Sequence, residues 1–314
     1  MKGEIDRFGY DIVEGQDGRI APRYWMSLGD TRIELLSDHP SDPRPERRLQ
    51  KLKFVSTSSA KCRNCAAEVS KPLGGGYCYD CFSTLARCDL CVVSPDRCHH
   101  HLGTCREPDW GDQFCMQPHV VYVANSSGPK VGITRAGRIR ERWVDQGASQ
   151  GLVIASVPTR RAAGCVEAAL RRWVADTTDW RRLVRGLHKG VDLLSLRKQL
   201  RGQLSNLADV PGEALTSAER AQMHWVEEDV LEIGYPRDLW SPADILFNPA
   251  IAGAERTIVL KGIVGGYLLA VDGVVAMSAL TQGGVECEVL EVAAADLELE
   301  PADSQDPQGQ MSLF

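Results

Sequence analysis

Cysteines carry the clearest chemical pattern in this chain of 314 residues. Nine of the eleven cysteines lie within residues 62–115. In that segment Cys62 and Cys65 form one Cys-x2-Cys pair, and Cys78 and Cys81 form a second pair after twelve intervening residues. Four thiolates at this spacing suit the tetrahedral coordination of Zn²⁺. We therefore predict a structural, zinc-ribbon-like site, in which metal binding supplies folding free energy to a segment with few large apolar residues.

A second group of metal-ligating residues follows directly. Cys88 and Cys91 repeat the Cys-x2-Cys spacing, and several later cysteines and histidines compete to complete a tetrahedral set. We predict a second structural zinc site here. Its remaining ligands are expected to be Cys98 and Cys105, with Cys115, His101 and His119 as alternatives.

Charge is segregated along the chain, although the net charge is only −6. Residues 1–118 have a balance of −1, and residues 202–314 have a balance of −15. Residues 119–201 contain 16 Lys and Arg against 6 Asp and Glu, a balance of +10. A basic block of this kind favours a polyanionic partner such as nucleic acid. Alternatively, the basic and acidic blocks attract each other within the fold.

The basic block begins with a predicted β-hairpin. Val120–Ala124 is a short β-branched and aromatic run, residues 125–129 are turn formers, and Lys130–Thr134 resumes as a second strand. A planar guanidinium matches the oxygens of a phosphate group. We therefore expect the hairpin to present to phosphate the arginines that follow it, which are Arg135, Arg138, Arg140 and Arg142.

Further elements are predicted after this hairpin. Glu167 lies at the border of an apolar helix face and could pair with Arg171, four residues later. The elements are a strand over Val153–Val157 and helices over Arg160–Ala175, Trp180–Leu187, Val191–Leu207 and Ala218–Leu231.

The two ends of the chain are predicted to be rich in β-structure. A hairpin is expected to turn at Gly29-Asp30, and repeated glycines in residues 257–292 separate short apolar runs typical of a small antiparallel sheet. The N-terminal hairpin could complete that sheet, so the predicted fold class is α+β. The predicted units are residues 1–55 (β), 56–118 (zinc-binding), 119–207 (basic), 208–295 (helical linker and β) and 296–314 (a disordered tail).

The basic block resembles the GIY-YIG nuclease superfamily, in the branch that has Lys-Ile/Val-Gly in its second motif. Val120-Val121-Tyr122 corresponds to the first motif, and Lys130-Val131-Gly132 corresponds to the second. Arg142 and Glu167 match an arginine and a glutamate on two successive helices. The resemblance covers about residues 119–185.

This resemblance implies metal-assisted hydrolysis of phosphodiesters. Glu167 would hold one Mg²⁺ or Mn²⁺, and Tyr122 would orient or deprotonate the attacking water. Arg142 would clamp the phosphate, and Lys130 would supply a second positive charge. We therefore expect a zinc-binding protein that binds DNA or RNA and hydrolyses it. The alternative is a non-catalytic zinc-dependent adaptor that binds nucleic acid or protein.

The whole chain also resembles a family described as a domain of unknown function, which combines a cysteine segment, a KVGITR strand, an RWxDQGA helix and a glycine-rich β tail. The first residues contain no apolar leader, and charged Lys261 and Asp272 interrupt the most apolar late stretch, Thr257–Leu280. We therefore expect a cytoplasmic protein without a membrane partner.

Overall fold

The computed structural model describes residues 1–36, 48–56, 60–186, 190–212, 215–236, 255–270, 273–281 and 285–293. Helices and antiparallel strands are mixed, which confirms the predicted α+β class. The strands are β1 (Lys2–Glu14), β2 (Ile20–Leu28), β3 (Thr31–Glu34), β4 (Arg48–Ser56), β5 (Ala60–Lys61), β6 (Glu68–Val69), β7 (His119–Asn125), β8 (Pro129–Arg135), β9 (Gln150–Val157), β10 (His224–Trp225), β11 (Leu231–Glu232), β12 (Glu255–Val264), β13 (Tyr267–Ala270), β14 (Gly273–Ala276) and β15 (Val285–Ala293).

The helices are short. They are α1 (Tyr79–Thr84), α2 (Pro108–Phe114), α3 (Ile139–Asp145), α4 (Arg160–Leu170), α5 (Trp180–Val184), α6 (Leu193–Gln203), α7 (Ser217–Ala221) and α8 (Met277–Leu280). Within the part of the chain described above, none of them has both the length and the apolar character needed to cross a bilayer.

Strands from both ends of the chain form one large antiparallel sheet. Among the described residues it has eight strands, in the order β14-β13-β12-β4-β15-β1-β2-β3. In β2 the side chains of Ile20, Tyr24 and Met26 alternate inward, because successive side chains of a strand point to opposite faces. β2 turns into β3 at Gly29-Asp30, so the expected N-terminal hairpin is present. It belongs to the same sheet as the β-rich tail, but the strand that pairs with β15 is β1, which precedes this hairpin.

A smaller sheet holds the basic block, in the order β10-β9-β7-β8, with β11 also pairing with β9. All seven residues of β7 are buried, because both faces of this strand are covered. Val121 and Val123 belong to a core shared with α4 and α6. Tyr122 and Ala124 point the other way, into a core that includes Trp143 of α3 and the large sheet.

The Cys-rich segment packs directly on α4. The guanidinium of Arg160 donates to the carbonyl oxygen of Val92 at 2.6 Å. One turn later, Gly164 faces a 3-10 turn over Pro95–Arg97, and a Cβ atom placed on Gly164 would lie 2.7 Å from the carbonyl carbon of Pro95. The two backbones meet this closely because Gly164 has no side chain.

Helix α4 begins and ends at identifiable points. Its N-cap is Thr159, whose hydroxyl accepts from the backbone amide of Ala162 at 3.2 Å. The helix ends at Leu170, earlier than the predicted Ala175, because the following residues run alongside β8. The amide of Val131 donates to the carbonyl oxygen of Ala175 at 2.7 Å there.

The predicted helix over Ala218–Leu231 is wrong. Only Ser217–Ala221 is helical, and the chain then adds His224–Trp225 and Leu231–Glu232 to the open edge of β9. Sheet hydrogen bonds outweigh local helix propensity in this stretch. The helices predicted from residues 180 and 191 are present as the shorter α5 and α6. The predicted tail, 296–314, lies outside the described residues, and the division into five units stays a prediction.

Replacing Gly164 by Ala is expected to destabilise the protein by about 1–3 kcal/mol, because the new methyl group must displace a neighbouring backbone rather than a flexible side chain. Gly202→Ala is the matched control, since Gly202 also lies in a helix but has open space around its Cα. That variant should be neutral or more stable by up to about 1 kcal/mol. Chemical denaturation measures both changes, and equal effects at the two positions would contradict the proposed packing.

Candidate functional site

The first two cysteine pairs converge on one point. The sulfur atoms of Cys62, Cys65, Cys78 and Cys81 all lie within 4.8 Å of one another, and the Cys65 and Cys78 sulfurs are 3.7 Å apart. A tetrahedral zinc site with Zn–S bonds of about 2.3 Å requires sulfur–sulfur edges of about 3.8 Å. The four cysteines therefore come together as their spacing predicts, in an arrangement that fits zinc.

Local backbone structure holds this four-cysteine cluster. The amide of Cys62 donates to the carbonyl oxygen of Ala67 at 2.8 Å, which closes the first loop between β5 and β6. Cys78 caps the start of α1 and accepts from the amide of Cys81 through its sulfur at 3.5 Å. The side-chain amide of Asn64 donates to the Cys81 sulfur at 3.4 Å. Such donors stabilise thiolates, the form that binds metal.

The second group of predicted zinc ligands is only partly assembled. Cys91, Cys98 and Cys105 line a narrow cavity, as does the alternative ligand Cys115. Cys88 is not among the lining residues, within the continuous described range 60–186. The two histidines predicted as substitute ligands also lie elsewhere: His101 is exposed at the surface, and His119 is buried on β7.

A cleft of about 650 Å³ separates the Cys-rich segment from the small sheet. Its walls come from both units, so neither unit forms the cleft alone. The Cys-rich wall contains Arg87, Val92, Val93, Pro95, Trp110, Phe114 and Cys115. The opposite wall contains His119, Ile133, Thr134, Arg135, Arg142, Arg160, Glu167, Arg171, Asp176 and Thr177.

Arg142 is held at this cleft by two polar side chains. Its Nε donates to the hydroxyl oxygen of Tyr122 at 3.3 Å. With the Gln146 amide turned so that both of its atoms are satisfied, the amide oxygen accepts from Nε and Nη2 of Arg142, each at 3.1 Å. Tyr122 itself is fully buried, and burial raises its pKa, so it is a neutral phenol at physiological pH. Tyr122 therefore positions Arg142 and does not itself line the cleft.

The glycine of the second motif, Gly132, packs closely against Tyr122. It pairs with Tyr122 across the β7–β8 hairpin, and a Cβ atom on Gly132 would lie 2.6 Å from Cζ of that ring. Any larger residue would push the tyrosine away from Arg142.

Lys130 also lies behind the cleft wall. Its side chain is buried, and its ammonium group donates to the hydroxyl of Thr178 at 3.2 Å. Burial lowers the pKa of Lys130 to about 8, and the positive charge of Arg142 acts in the same direction. The carboxylates of Glu167 and Asp176 oppose this shift, which places all four charges within electrostatic reach of one another.

Glu167 is the buried acid of the cleft. Only 9% of its surface is exposed, and burial raises its pKa. Arg171 opposes that shift from 3.5 Å, as the four-residue spacing predicts, and also pairs with Asp176 at 2.8 Å. Glu167 belongs to α4 and Arg142 belongs to α3, on opposite faces of the small sheet. Both line the cleft because it follows the outer strand β8, where the two faces meet.

The arginines predicted to bind nucleic acid divide into two groups. Arg135 lines the cleft, and its guanidinium lies 4.8 Å above the ring of Phe114. Arg138 and Arg140 do not line the cleft; they pair instead with Glu141 at 3.5 Å and with Glu14 at 3.0 Å. Only the first of the three predicted arginines therefore shares a surface with Arg142 and Glu167.

Several cleft residues carry no signal in the sequence that marks them as functional. Arg87, Trp110 and Phe114 come from the Cys-rich segment, and Arg160 comes from the first turn of α4. The sequence predicts His119 only as a zinc ligand. Burial lowers its pKa to about 4, so it is neutral at physiological pH. No local motif marks these residues, because tertiary packing alone brings them together.

The fold and the site define an α+β protein that combines a four-cysteine cluster with an arginine-lined cleft. The chain belongs to a family described as "Protein of unknown function (DUF2797)", whose model matches residues 50–283. That match includes the four-cysteine cluster and every residue of the cleft. Comparison with curated proteins and with solved structures found no match in either set.

Cys65→Ser is expected to remove about one zinc ion per chain and to lower the melting temperature, because a tetrahedral site loses one of its four thiolates. Elemental analysis and a thermal scan of the full chain measure the two effects. Cys165→Ala provides the control, since Cys165 is a buried free thiol on α4 outside the cluster. The zinc content of this variant should equal that of the wild type. Full zinc content in Cys65→Ser would rule out this site.

Proposed function

We propose that this protein binds nucleic acid in the cleft and hydrolyses a phosphodiester bond there with the help of one divalent cation. The observation that carries the proposal is the composition of the cleft. Among the described residues that line it there are five arginines, and Glu167 stands among them as a buried acid. Those arginines are Arg87, Arg135, Arg142, Arg160 and Arg171.

The arrangement of these charges supports phosphate binding. Arg171 is largely balanced by Glu167 and Asp176, so it belongs to the carboxylate side of the cleft. Arg142 and Arg135 stand on the other side, where no carboxylate pairs with them among the ion pairs of the described residues. The wall formed by the small sheet and its helices would therefore offer an anionic backbone the guanidiniums of Arg135 and Arg142 and, separately, the carboxylates of Glu167 and Asp176.

Arg142 is suited to stabilise charge that develops on a reacting phosphate. Tyr122 and Gln146 fix its guanidinium from behind, which reduces the reorganisation needed when charge appears. The Tyr122 hydroxyl makes this contact inside the core, so the role supported here is positioning of Arg142. The activation of water implied by the superfamily resemblance is not part of this proposal.

The carboxylates fit a hard divalent cation. Mg²⁺ is commonly held by one or two carboxylates together with substrate phosphates, and Glu167 and Asp176 line the same cleft. A cation bound there would polarise the phosphate and stabilise the leaving oxygen. Lys130, with a pKa of about 8, supplies additional positive potential from behind the wall at neutral pH.

The aromatic wall favours unpaired bases. Trp110 and Phe114 are stacked with their ring centroids 5.0 Å apart, and both line the cleft opposite Arg142. Bases of single strands stack readily on such side chains, whereas bases within a duplex are already stacked on each other. We therefore propose single-stranded DNA or RNA as the substrate class.

The GIY-YIG resemblance adds support from the order of the elements. β7 carries Tyr122, β8 carries Lys130 and Gly132, α3 carries Arg142 and α4 carries Glu167. A second candidate function is nucleic-acid binding without hydrolysis. It is favoured by the buried Tyr122 hydroxyl and by the ion pair that occupies Glu167.

Arg142→Ala should weaken binding of a labelled single-stranded oligonucleotide about ten- to a hundredfold, the loss expected for a charge-assisted contact to phosphate. The slope of log Kd against log salt concentration should also fall by about one, because one fewer phosphate is neutralised. Arg140→Ala serves as the control, since Arg140 pairs with Glu14 outside the cleft, and should bind within about twofold of the wild type. Binding that is independent of salt would count against the cleft as the binding surface.

Glu167→Gln should abolish Mg²⁺-dependent cleavage while binding remains, because the amide keeps the shape of the side chain but cannot hold the cation. Arg171 retains Asp176 as a partner in this variant, so the fold should survive. Glu141→Gln on α3 should cleave as the wild type does, since Glu141 pairs with Arg138 away from the cleft. If the wild type binds but cuts no DNA or RNA in the presence of Mg²⁺ or Mn²⁺, the non-catalytic function stands instead.

A further inference from the structure

The narrow cavity in the second half of the Cys-rich segment has the size of a single-ion site. Its volume of about 10 Å³ holds roughly one water-sized group. The walls combine thiols with imidazoles, a donor set that is typical of zinc and unusual for a site that holds only water.

Two of the donor atoms approach each other closely, together with the carboxylate of Asp89. The sulfur of Cys91 and a ring nitrogen of His99 lie within 4.8 Å of each other. Cys98, which is only 8% exposed, lines the same cavity as Cys91. Cys105 lines the same small cavity. Three thiols and one imidazole therefore surround a space of ionic size.

Neighbouring side chains orient the imidazole as a ligand. The hydroxyl oxygen of Thr104 lies 2.8 Å from Nδ1 of His99 and can accept a hydrogen bond from a protonated Nδ1. In that tautomer the Nε2 lone pair is available to a metal. Ligating histidines are usually fixed in this way through their second nitrogen. Asp89 also lies close to Nε2, at 3.5 Å, but its carboxylate is engaged by Arg106 at 2.8 Å and by the amide of Cys91 at 3.1 Å.

We propose that Cys91, Cys98, Cys105 and Nε2 of His99 form a second zinc site. This ligand set differs from the one that Cys-x2-Cys spacing predicts, because it excludes Cys88. Cys88 does not line the cavity that the other cysteines line. Cys88 ends one 3-10 turn and Cys91 lies in the next, and the extended Asp89 between them has φ −70° and ψ 153°.

The first pair of cysteines has a different backbone conformation. Directly after Cys65 the chain enters the left-handed region at Ala66, with φ of 60°, and folds both sulfurs toward one point. No residue between Cys88 and Cys98 has a positive φ, in a stretch that the structure describes throughout.

The proposed zinc would hold the Cys-rich wall of the cleft in place beside helix α4. The 3-10 turn over Pro95–Arg97 lies between two of its ligands and packs on Gly164, one turn before Glu167. Cys105 leads into α2, which carries Trp110 and Phe114. The metal would thus fix the Cys-rich wall against the helix that holds the buried acid. This role is structural, and it does not depend on whether the cleft binds nucleic acid.

Counting zinc in the full-length chain tests the proposal. Elemental analysis should give two zinc ions per chain for the wild type and one for Cys65→Ser. Cys98→Ser should also lose one ion, and its remaining site should stay resistant to chelation by EDTA. Cys88→Ser is the matched control. The Cys-x2-Cys spacing predicts Cys88 as a ligand of the second site, but Cys88 does not line the cavity, so this variant should retain two zinc ions.

Two results would overturn the proposal: one zinc ion per wild-type chain, or a loss in Cys88→Ser equal to that in Cys98→Ser. Titration of metal-free wild type with Co²⁺ gives a measurement that needs no folded variant. Thiolate–cobalt absorption should rise until two equivalents have bound. Saturation at one equivalent would contradict the second site.

Discussion

The cleft exists because the Cys-rich segment and helix α4 meet backbone to backbone at Gly164. The facing of the two cleft walls depends on that approach. It sets the arginines and carboxylates of the basic block opposite Arg87 and the stacked Trp110 and Phe114. Protein interiors are close-packed, so even one methyl group at such a contact changes how two units fit. The Cys-rich segment therefore forms a wall of the site and also carries the four-cysteine cluster.

Polar side chains inside the fold also govern the site. Tyr122 and Gln146 support Arg142 from the core, and Thr178 holds Lys130 behind the wall. Buried polar groups remain favourable only when they are hydrogen-bonded, and each of these groups has a partner. The side chains that support Arg142 and Lys130 thus lie inside the fold, whereas the cleft itself follows the outer strand β8.

Features set by short-range geometry could be predicted from the sequence. The four-cysteine cluster depends on two tight loops, the β7–β8 hairpin depends on a short turn between Asn125 and Pro129, and both are present. The contact of Glu167 with Arg171 follows from helix periodicity alone. That the N-terminal hairpin shares a sheet with the β-rich tail could be suggested only because both segments had strand character.

Features set by tertiary packing could not be predicted. Residues 224–232 have a helical pattern but pair with the open edge of β9, which the sequence does not reveal. Arg87 and Trp110 reach the cleft through the docking of one unit on another. Cys88 has the right spacing for a ligand, yet it does not line the cavity that Cys91 lines. Spacing shows which residues are near in the chain, and only the backbone decides where their side chains point.

The large sheet has a consequence for how the chain acquires its fold. β1 hydrogen-bonds with β15, and the amino terminus reaches the carbonyl oxygen of Val289, so this contact joins residues 288 positions apart. Pairings of such high contact order form slowly, because a long loop must close before they contribute free energy. On the ribosome, β1 must wait for a strand that emerges much later, while the cysteine loops and the small sheet can already assemble. The exposed edge of that waiting strand is where a nascent chain of this kind is most open to chaperones and to misassociation.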